Sequence, residues 1–410
     1  MDKDTTKTTF FKVFEAFPLE KFLQIVASAG CDRYVKKLKT LKLLYLMLIA
    51  QFLGLDSLRD IATRLTYDKQ LQKLLHLTSI SASTLSRRLR NIDHRVWEQV
   101  FAEVKRQIWQ QANKTGAVRQ YQLNVIDSST ITLCLRKYLW ADYRKTKSGI
   151  KLHQRITIHD GNSYPDSAVL TSARKADKTV MDELVVTSPD ALNVFDRGYV
   201  DYAKWDDYCR KGIRFVSRLK SNAIIDVLEE KSVETNQVLA EKIVRLGNAY
   251  TTQMTHPVRL IETCDNQGNA VIIVTNDLTL PAQEISDIYR MRWQIELFFK
   301  WIKQHLVVKE FFGTSQNAVY GQIWLALIGY CLLQNLQQKL PKSVSLLEVL
   351  RAVQMFLYQA FNELVAALSR PPTKISHGRQ SLAAGYDQLI QIIDQLGTDW
   401  LDIVDEGVYL

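Results

Sequence analysis

In the stretch YRMRWQIELFFKWIK (residues 289–303), Tyr289, Arg292, Glu296 and Lys303 stand at offsets 0, 3, 7 and 14. On a helix turning roughly 100° per residue they fall at roughly 0°, −60°, −20° and −40°. They form one narrow stripe with a carboxylate, two cations and an aromatic ring. The other positions (Ile295, Leu297, Phe298, Phe299, Trp301 and Ile302) make the stretch apolar on most faces, as in a helix buried in a large protein or an interface. Charges on a buried stripe are costly without a partner, a metal ion or a bound anion. Pairing of Glu296 with Lys300 at i,i+4 is the plain alternative. Two further carboxylates stand next to apolar strand patterns. Asp127 is the only acidic residue of YQLNVIDSSTITLCL, and Asp196 follows Leu192–Phe195. Taken alone, each reads as an ordinary turn or helix-capping aspartate. Gathered together, three carboxylates would make an oxygen cage suited to hard divalent cations.

Tyr-x2-Arg-x3-Glu-x6-Lys is the signature of the insertion-sequence-four family of bacterial DDE transposases. Residues 289–303 resemble it at all four fixed positions. FDRGY at 195–199 resembles the family's second-carboxylate motif. FFKVFEAFPLEKF, DRYVKKLKT and SLRDI resemble the N-terminal helical domain that many members carry. The resemblance implies that Asp127, Asp196 and Glu296 hold two Mg²⁺ (or Mn²⁺) ions, with Asp127 bridging them. Two such ions roughly 3.5–4 Å apart can activate an oxygen nucleophile and stabilise a leaving oxygen. It further implies that Arg292 and Lys303 bind backbone phosphates, that Tyr289 positions one, and that Arg197 and Lys300 lie near the DNA. The implied reaction is cut-and-paste transposition by phosphodiester hydrolysis and strand transfer at terminal inverted repeats. The implied partners are double-stranded end and target DNA and a second copy of the chain on paired ends. Two other readings stay open: a DNA-binding derivative that no longer cuts, and a metal-dependent nuclease that cuts without joining.

The elements that must position these residues follow in order. Residues 1–115 read as helical. Ser57 with Asp60 approximates a capping box for a helix through Leu65. Ser81 or Ser83 can cap a short helix carrying Arg87, Arg88 and Arg90, the second half of a helix-turn-helix candidate for DNA. The alternative is a bundle whose arginines are a solvated face. From residue 120 the pattern turns to strands: residues 121–135, 149–159 and 165–172. Three consecutive strands opening an α/β region are how a ribonuclease H-like fold begins. A strand at Leu192–Phe195, a helix over Tyr199–Arg210 and a strand at Ile213–Leu219 place Asp196 at the carboxyl end of a strand, where ligand sites in open α/β sheets lie. Residues 221–280 hold two strands about the turn CDNQGN and the polar run KSVETNQVLAEKI. In relatives an aromatic residue of this insertion holds a flipped base. This insertion has no Trp, and Tyr250 is the nearest substitute. Val319–Leu340 and Ser345–Leu368 read as long helices, 369–379 as a basic linker, and Leu382–Val404 as an amphipathic helix.

The expected fold is therefore α/β. A helical DNA-binding domain spans 1–115, a ribonuclease H-like core spans 116–222 and 281–340, a β-rich insertion spans 223–280, and a helical region spans 341–410. A net charge of +10 over 410 residues favours a polyanionic partner. The five cysteines are scattered with no CxxC pair, which excludes a disulfide framework and a zinc site and fits a reducing cytosol. The seven histidines form no HExxH, and no Walker loop implies ATP. His153 and His159 share a strand face and read as structural or close to DNA. The apolar runs Leu43–Ala50 and Ile323–Leu333 are too short to span a bilayer. With no apolar signal region at the start, the chain reads as a cytoplasmic protein, associated with the nucleoid when on DNA.

Overall fold

The structure is a computed structural model that describes residues 7–112, 122–159, 162–220, 222–232, 238–248, 250, 252–264, 268–308, 310–340 and 344–370. The expected helix at 382–404 and nearly all of the expected linker lie outside the described residues. Ten strands among the described residues form one mixed sheet. They are β1 (Gln122–Leu133), β2 (Asp142–Arg144), β3 (Lys147–His159), β4 (Asn162–Ser172), β5 (Ala191–Phe195), β6 (Arg214–Arg218), β7 (Ile225–Lys231), β8 (Val238–Leu246), β9 (Val258–Cys264) and β10 (Ala270–Thr275). Their order is β2-β3-β1-β5-β6-β10-β9-β8-β7, with β4 also paired to β3. β1, β3 and β4 are antiparallel, whereas β1, β5 and β6 run parallel.

β1 has two halves with different surroundings. Leu123–Ile126 are buried, as expected for a central strand covered on both faces. β5 pairs only with Gln122–Ile126, whereas β3 follows β1 out to Leu133. From Asp127 onward β1 therefore leaves the sheet centre, and residues 127–130 pass from fully to partly buried.

Helices cap this sheet. The central one, Gln316–Gln338, starts at the Ser315 cap and is buried from Ala318 to Leu336. It is the one helix among the described residues long and apolar enough to cross a membrane, and its apolar window lies wholly inside the protein. The N-terminal helices Thr40–Phe52 and His94–Ala112 pack on it. Backbones approach closely there: a Cβ on Gly321 would stand 3.0 Å from the Trp97 ring. The helical segment and the sheet thus share one apolar core. Ser57 caps Leu58–Tyr67, and Ser81, not Ser83, caps Ala82–Asn91.

Four local expectations are corrected. Residues 289–303 are not one helix. Ala282–Arg290 ends and Trp293–His305 begins, and the junction tightens to i→i−3 bonds from the Arg292, Gln294 and Ile295 N–H groups. The helix after Asp196 starts at Tyr202 with Asp201 as its cap, because a separate 3-10 turn occupies Arg197–Tyr199. The 345–368 helix is split into Leu346–Phe356, which has the expected Ser345–Glu348 capping box, and Phe361–Ser369. The break lets the carbonyls of Leu357 and Gln359 accept from Phe10 and Thr9. The polar run 231–243 supplies parts of β7 and β8, outer strands of the sheet whose half-exposed surfaces tolerate polar side chains.

The segment that follows Trp293–His305 is held by one buried glutamine. Gln322 donates to the carbonyls of Val307 and Glu310 and accepts from the Phe312 N–H. Gln322→Leu would strand one buried N–H and two part-buried carbonyls, at roughly 1 kcal/mol each. A loss of about 3 kcal/mol in unfolding free energy is expected by urea denaturation; a loss under about 1 kcal/mol would show that the clamp is not needed.

Candidate active site

The β1–β5 register sets the site. Ile126 pairs with Phe195 as the last parallel pair, so Asp127 and Asp196 follow side by side, on backbones about 4.8 Å apart. Each carboxylate spends Oδ1 on a nearby backbone N–H, Asp127 on Ser128 (2.7 Å) and Asp196 on Gly198 (2.9 Å). Asp196 therefore caps the turn after β5 and also borders the cluster. A Cβ on Gly198 would lie 3.0 Å from that Oδ1, which gives FDRGY a physical reason for its glycine.

Across from the pair stands Trp293–His305, with Glu296 in its first turn. The Arg292 guanidinium lies 2.6 Å from Glu296 Oε1 and 3.5 Å from Asp127 Oδ2, and 5.9 Å from the centre of the Tyr289 ring. The cation that pairs Glu296 here is thus Arg292, and Lys300 is exposed. Lys303 Nζ donates to the Thr130 carbonyl at 3.1 Å, tying the helix to β1. Arg197 is exposed beside Asp196. Burial, and next the Asp196 charge, push the Asp127 carboxyl up to about 8 against the opposing pull of Arg292. Asp196 is raised too, chiefly by burial. Burial opposes the charge on Arg292, but Glu296 and the other anions outweigh it and raise the guanidinium further.

One member of the site has no signal in the sequence. Asp177 accepts from Ser128 Oγ (2.6 Å) and Lys151 Nζ (3.2 Å), and His153 Nδ1 is 3.4 Å away. Burial would raise its carboxyl, but the His153 and Ser128 contacts and the Lys151 charge win and hold it at about 2. It is a fixed anion anchoring the residue next to Asp127. His153 is fully buried and bonded to Thr171, a structural role; the side chain of His159 lies outside the described residues. The N-terminal arginines divide. Arg87 and Arg90 are exposed, whereas Arg88 turns inward onto the Cys31 carbonyl, Asp32 and Thr40. Arg88 is thereby removed from the expected DNA face and made a tie between helices.

The pattern of the transposase DDE domain matches residues 119–332, just over half of the chain. The chain belongs to the DDE transposase family. A domain of unknown function matches residues 5–77. A protein of Geobacillus stearothermophilus named as a probable transposase for insertion sequence element IS5377 is 27% identical over 82% of this chain and 87% of its own length. A protein of Sinorhizobium fredii named as transposase y4zB is 29% identical over 68% of this chain and 77% of its own. The solved piggyBac transposase synaptic complex with hairpin DNA aligns with a TM-score of 0.43 and 11% identity, over 91% of this chain and 84% of that one. The protein is a DNA transposase of insertion-sequence type, and the carboxylate cluster lies inside the matched domain.

The donor set of this transposase fits a hard divalent cation in chemistry. Asp127 and Asp196 offer carboxylate oxygens side by side, the kind of donor such a cation takes, and their charge is offset by Arg292 on both, Arg197 on Asp196 and the backbone N–H groups of Ser128 and Gly198. As they stand, among the described residues no three His, Cys, Asp or Glu side chains converge on one metal position. Glu296 is turned to Arg292 instead.

Two predictions follow from this geometry. The folded chain holds a proton on Asp127 that the unfolded chain releases near 3.8, so this group's contribution to stability falls as pH rises from about 4 to about 8. A divalent cation must displace that proton. Calorimetry of Mg²⁺ binding should show about one proton released at pH 6 to 7 and almost none at pH 9, with the difference gone in Asp127→Asn; a pH-independent release near zero would contradict the raised carboxyl. Gly198→Ala should displace the Asp196 carboxylate by a few tenths of an ångström and slow end cleavage about ten- to hundred-fold with little change in unfolding free energy, since small misplacements of reacting groups cost that much.

Proposed function

We propose that this transposase excises and reinserts its element by cut-and-paste chemistry at terminal inverted repeats, as an insertion-sequence-four type enzyme with a ribonuclease H-like core. The observation that carries the proposal is the juxtaposition of Asp127 and Asp196 by strand register, with Glu296 facing them through Arg292. The strand order β4-β3-β1-β5-β6, with an antiparallel first three and a parallel last three, supports the ribonuclease H-like reading.

Asp127, Asp196 and Glu296 would hold two Mg²⁺ or Mn²⁺ ions. Such ions supply Lewis acidity that activates a water and stabilises the departing oxygen. The chain's own residues do the rest. Arg292 presents a planar fork that suits a phosphate as well as it suits the carboxylates it now bridges. The Tyr289 ring and the Glu296 carboxylate hold that fork beside the reacting phosphodiester. Lys303 uses one of its donors to fix the helix on β1, which leaves its charge next to the cluster. Lys300 and Arg197, both exposed, meet the backbone to either side. Hydrolysis frees a 3′ hydroxyl at the element end, and this hydroxyl then attacks a target phosphodiester. Each joining step exchanges one phosphodiester for another, so no ATP is consumed. Two element ends must be cut together, and a second copy of the chain on the paired ends is part of the proposal. The helical segment, through exposed Arg87 and Arg90, reads the repeat.

Cleavage of a fragment carrying the element's own end, with Mg²⁺, tests this. Glu296→Gln should bind the end like the unchanged protein and cut it more than about a thousand-fold slower, the scale of losing a group that acts in the reaction. Equal cutting by both would remove Glu296 from the site and the proposal with it.

A further inference from the structure

β1 outruns its neighbour β5 by seven residues, 127 to 133. Its end at Leu133 lies about 20 Å beyond Asp127 at about 3.3 Å per residue. There the chain turns through residues 134–147 and returns as β3. This strap has two unlike faces. Its underside is pinned: Tyr138 and Ala141 are buried, and the Tyr138 ring meets Phe311 at 6.5 Å between centroids. Trp140 Nε1 donates to the Thr314 carbonyl at 2.7 Å, and its ring stands on Tyr320. The outer face is cationic and exposed, carrying Arg136, Lys137, Arg144, Lys145 and Lys147, with Lys175 close by at the end of β4. Arg144 stacks on Tyr143. The charged groups of Arg136, Lys137, Lys145, Lys147 and Lys175 have no ion-pair partner among the described residues. Between Cys134 and Lys147 the sequence holds five cations and one acid, Asp142. A pinned strap with a net positive charge, leading away from a phosphodiester-cutting site, fits a polyanion that continues past that site.

We infer that the strap 134–147 is a phosphate-binding rail for duplex DNA on the element side of the cut, contacting backbone about six base pairs inside the scissile phosphate at about 3.4 Å per step. The element side follows from what the strap adjoins. Phe311, against which Tyr138 packs, also lines a cleft with Ser57, Arg59, Ala82 and Ser86, at the starts of the two N-terminal helices Leu58–Tyr67 and Ala82–Asn91. The rail therefore bridges the carboxylates and the helices that read the repeat. An element's own end is a constant sequence and its flank is not, so only the inner duplex can engage both at once. The inference rests on the transposase reading and assigns the path of its DNA.

The test uses the full chain and a duplex carrying the element's own end, without metal. In Arg144→Ala/Lys145→Ala/Lys147→Ala, affinity at about 0.1 M salt should drop about ten- to hundred-fold, and the slope of log K against log salt should fall by about 2 to 3. Phosphate-ethylation interference should fade at about six base pairs inside the cut. A duplex truncated about four base pairs inside the cut should bind both proteins alike. The variant Arg144→Lys/Lys145→Arg/Lys147→Arg should keep the slope and so separate lost charge from lost folding. An unchanged slope, equal loss on the truncated duplex, or interference lost on the flank side overturns the inference. Failure of the unchanged protein to prefer the end, or to cut it once Mg²⁺ is added, would instead sink the transposase reading of the site.

Discussion

Two carboxylates on adjacent parallel strands repel each other wherever water is scarce, and the β1–β5 register leaves Asp127 and Asp196 no way to separate. Backbone N–H groups from Ser128 and Gly198 take up one oxygen of each, which fixes orientation without cancelling charge. Burial and the neighbouring anion then push Asp127 to about 8. The chain tolerates this by holding a cation on the far wall. The elements around the site can be read as the means of keeping that wall in place. Ile295, Phe298, Phe299 and Ile302 bury the back of Trp293–His305, at about 1.5–3 kcal/mol per large side chain. Lys303 fastens its front to β1, and Gln322 holds the segment that leaves it.

Arg292 carries opposite obligations. Its pairing with Glu296 and Asp127 is not evidence of stability, because desolvating such charges offsets most of their attraction. What the arrangement provides is a site already shaped for cations. A guanidinium fork bridges oxygens that would otherwise face metal ions, and the same fork matches a phosphate. If metal ions took its place at the carboxylates, as the proposed function has it, Arg292 would be free to meet a phosphate while keeping its place beside the Tyr289 ring. Asp177 is the counterweight: its contacts keep it ionised, so it anchors Ser128 across the range in which Asp127 takes up and releases its proton.

Asp127 and Asp196 taken alone read as ordinary turn or capping residues, and only the resemblance singled them out with the four signature residues. What the sequence itself patterns is the scaffold that brings them together, an apolar strand before each aspartate and an apolar helix behind Glu296. The four signature residues do not lie on one continuous helix, so one angular stripe does not describe them. The chain tightens at Met291–Arg292, which puts Tyr289 on a different helix from Glu296, and the two meet only through Arg292. For Asp196 the two readings do not exclude each other, since Oδ1 caps the turn while the carboxylate still stands beside Asp127. Asp177 was illegible for a plain reason: it acts on Ser128 across 49 residues, through the return of β4 along β3, and no local pattern encodes such a meeting. Arg88 shows the same limit. The other two arginines of that helix, Arg87 and Arg90, face outward, and only the fold reveals that Asp32 and Thr40 wait for Arg88.

The helical segment and the sheet are not beads joined by a linker. Thr40–Phe52 and His94–Ala112 bury their apolar faces on Gln316–Gln338, and Gln51 donates to the Gln322 carbonyl of that helix. Gln322 in turn clamps the segment just after the helix carrying Glu296. A shift of the N-terminal helices is thus resisted by a close-packed core and by the same glutamine that holds the segment leaving the Glu296 helix. The distance from exposed Arg87 and Arg90 to the carboxylates is then a property of the core and not of a flexible tether. On the proposed function, in which Arg87 and Arg90 read the repeat, a repeat bound at one place would meet the carboxylates only at a fixed number of base pairs away, and this rigidity would itself be a source of positional accuracy in where the end is cut.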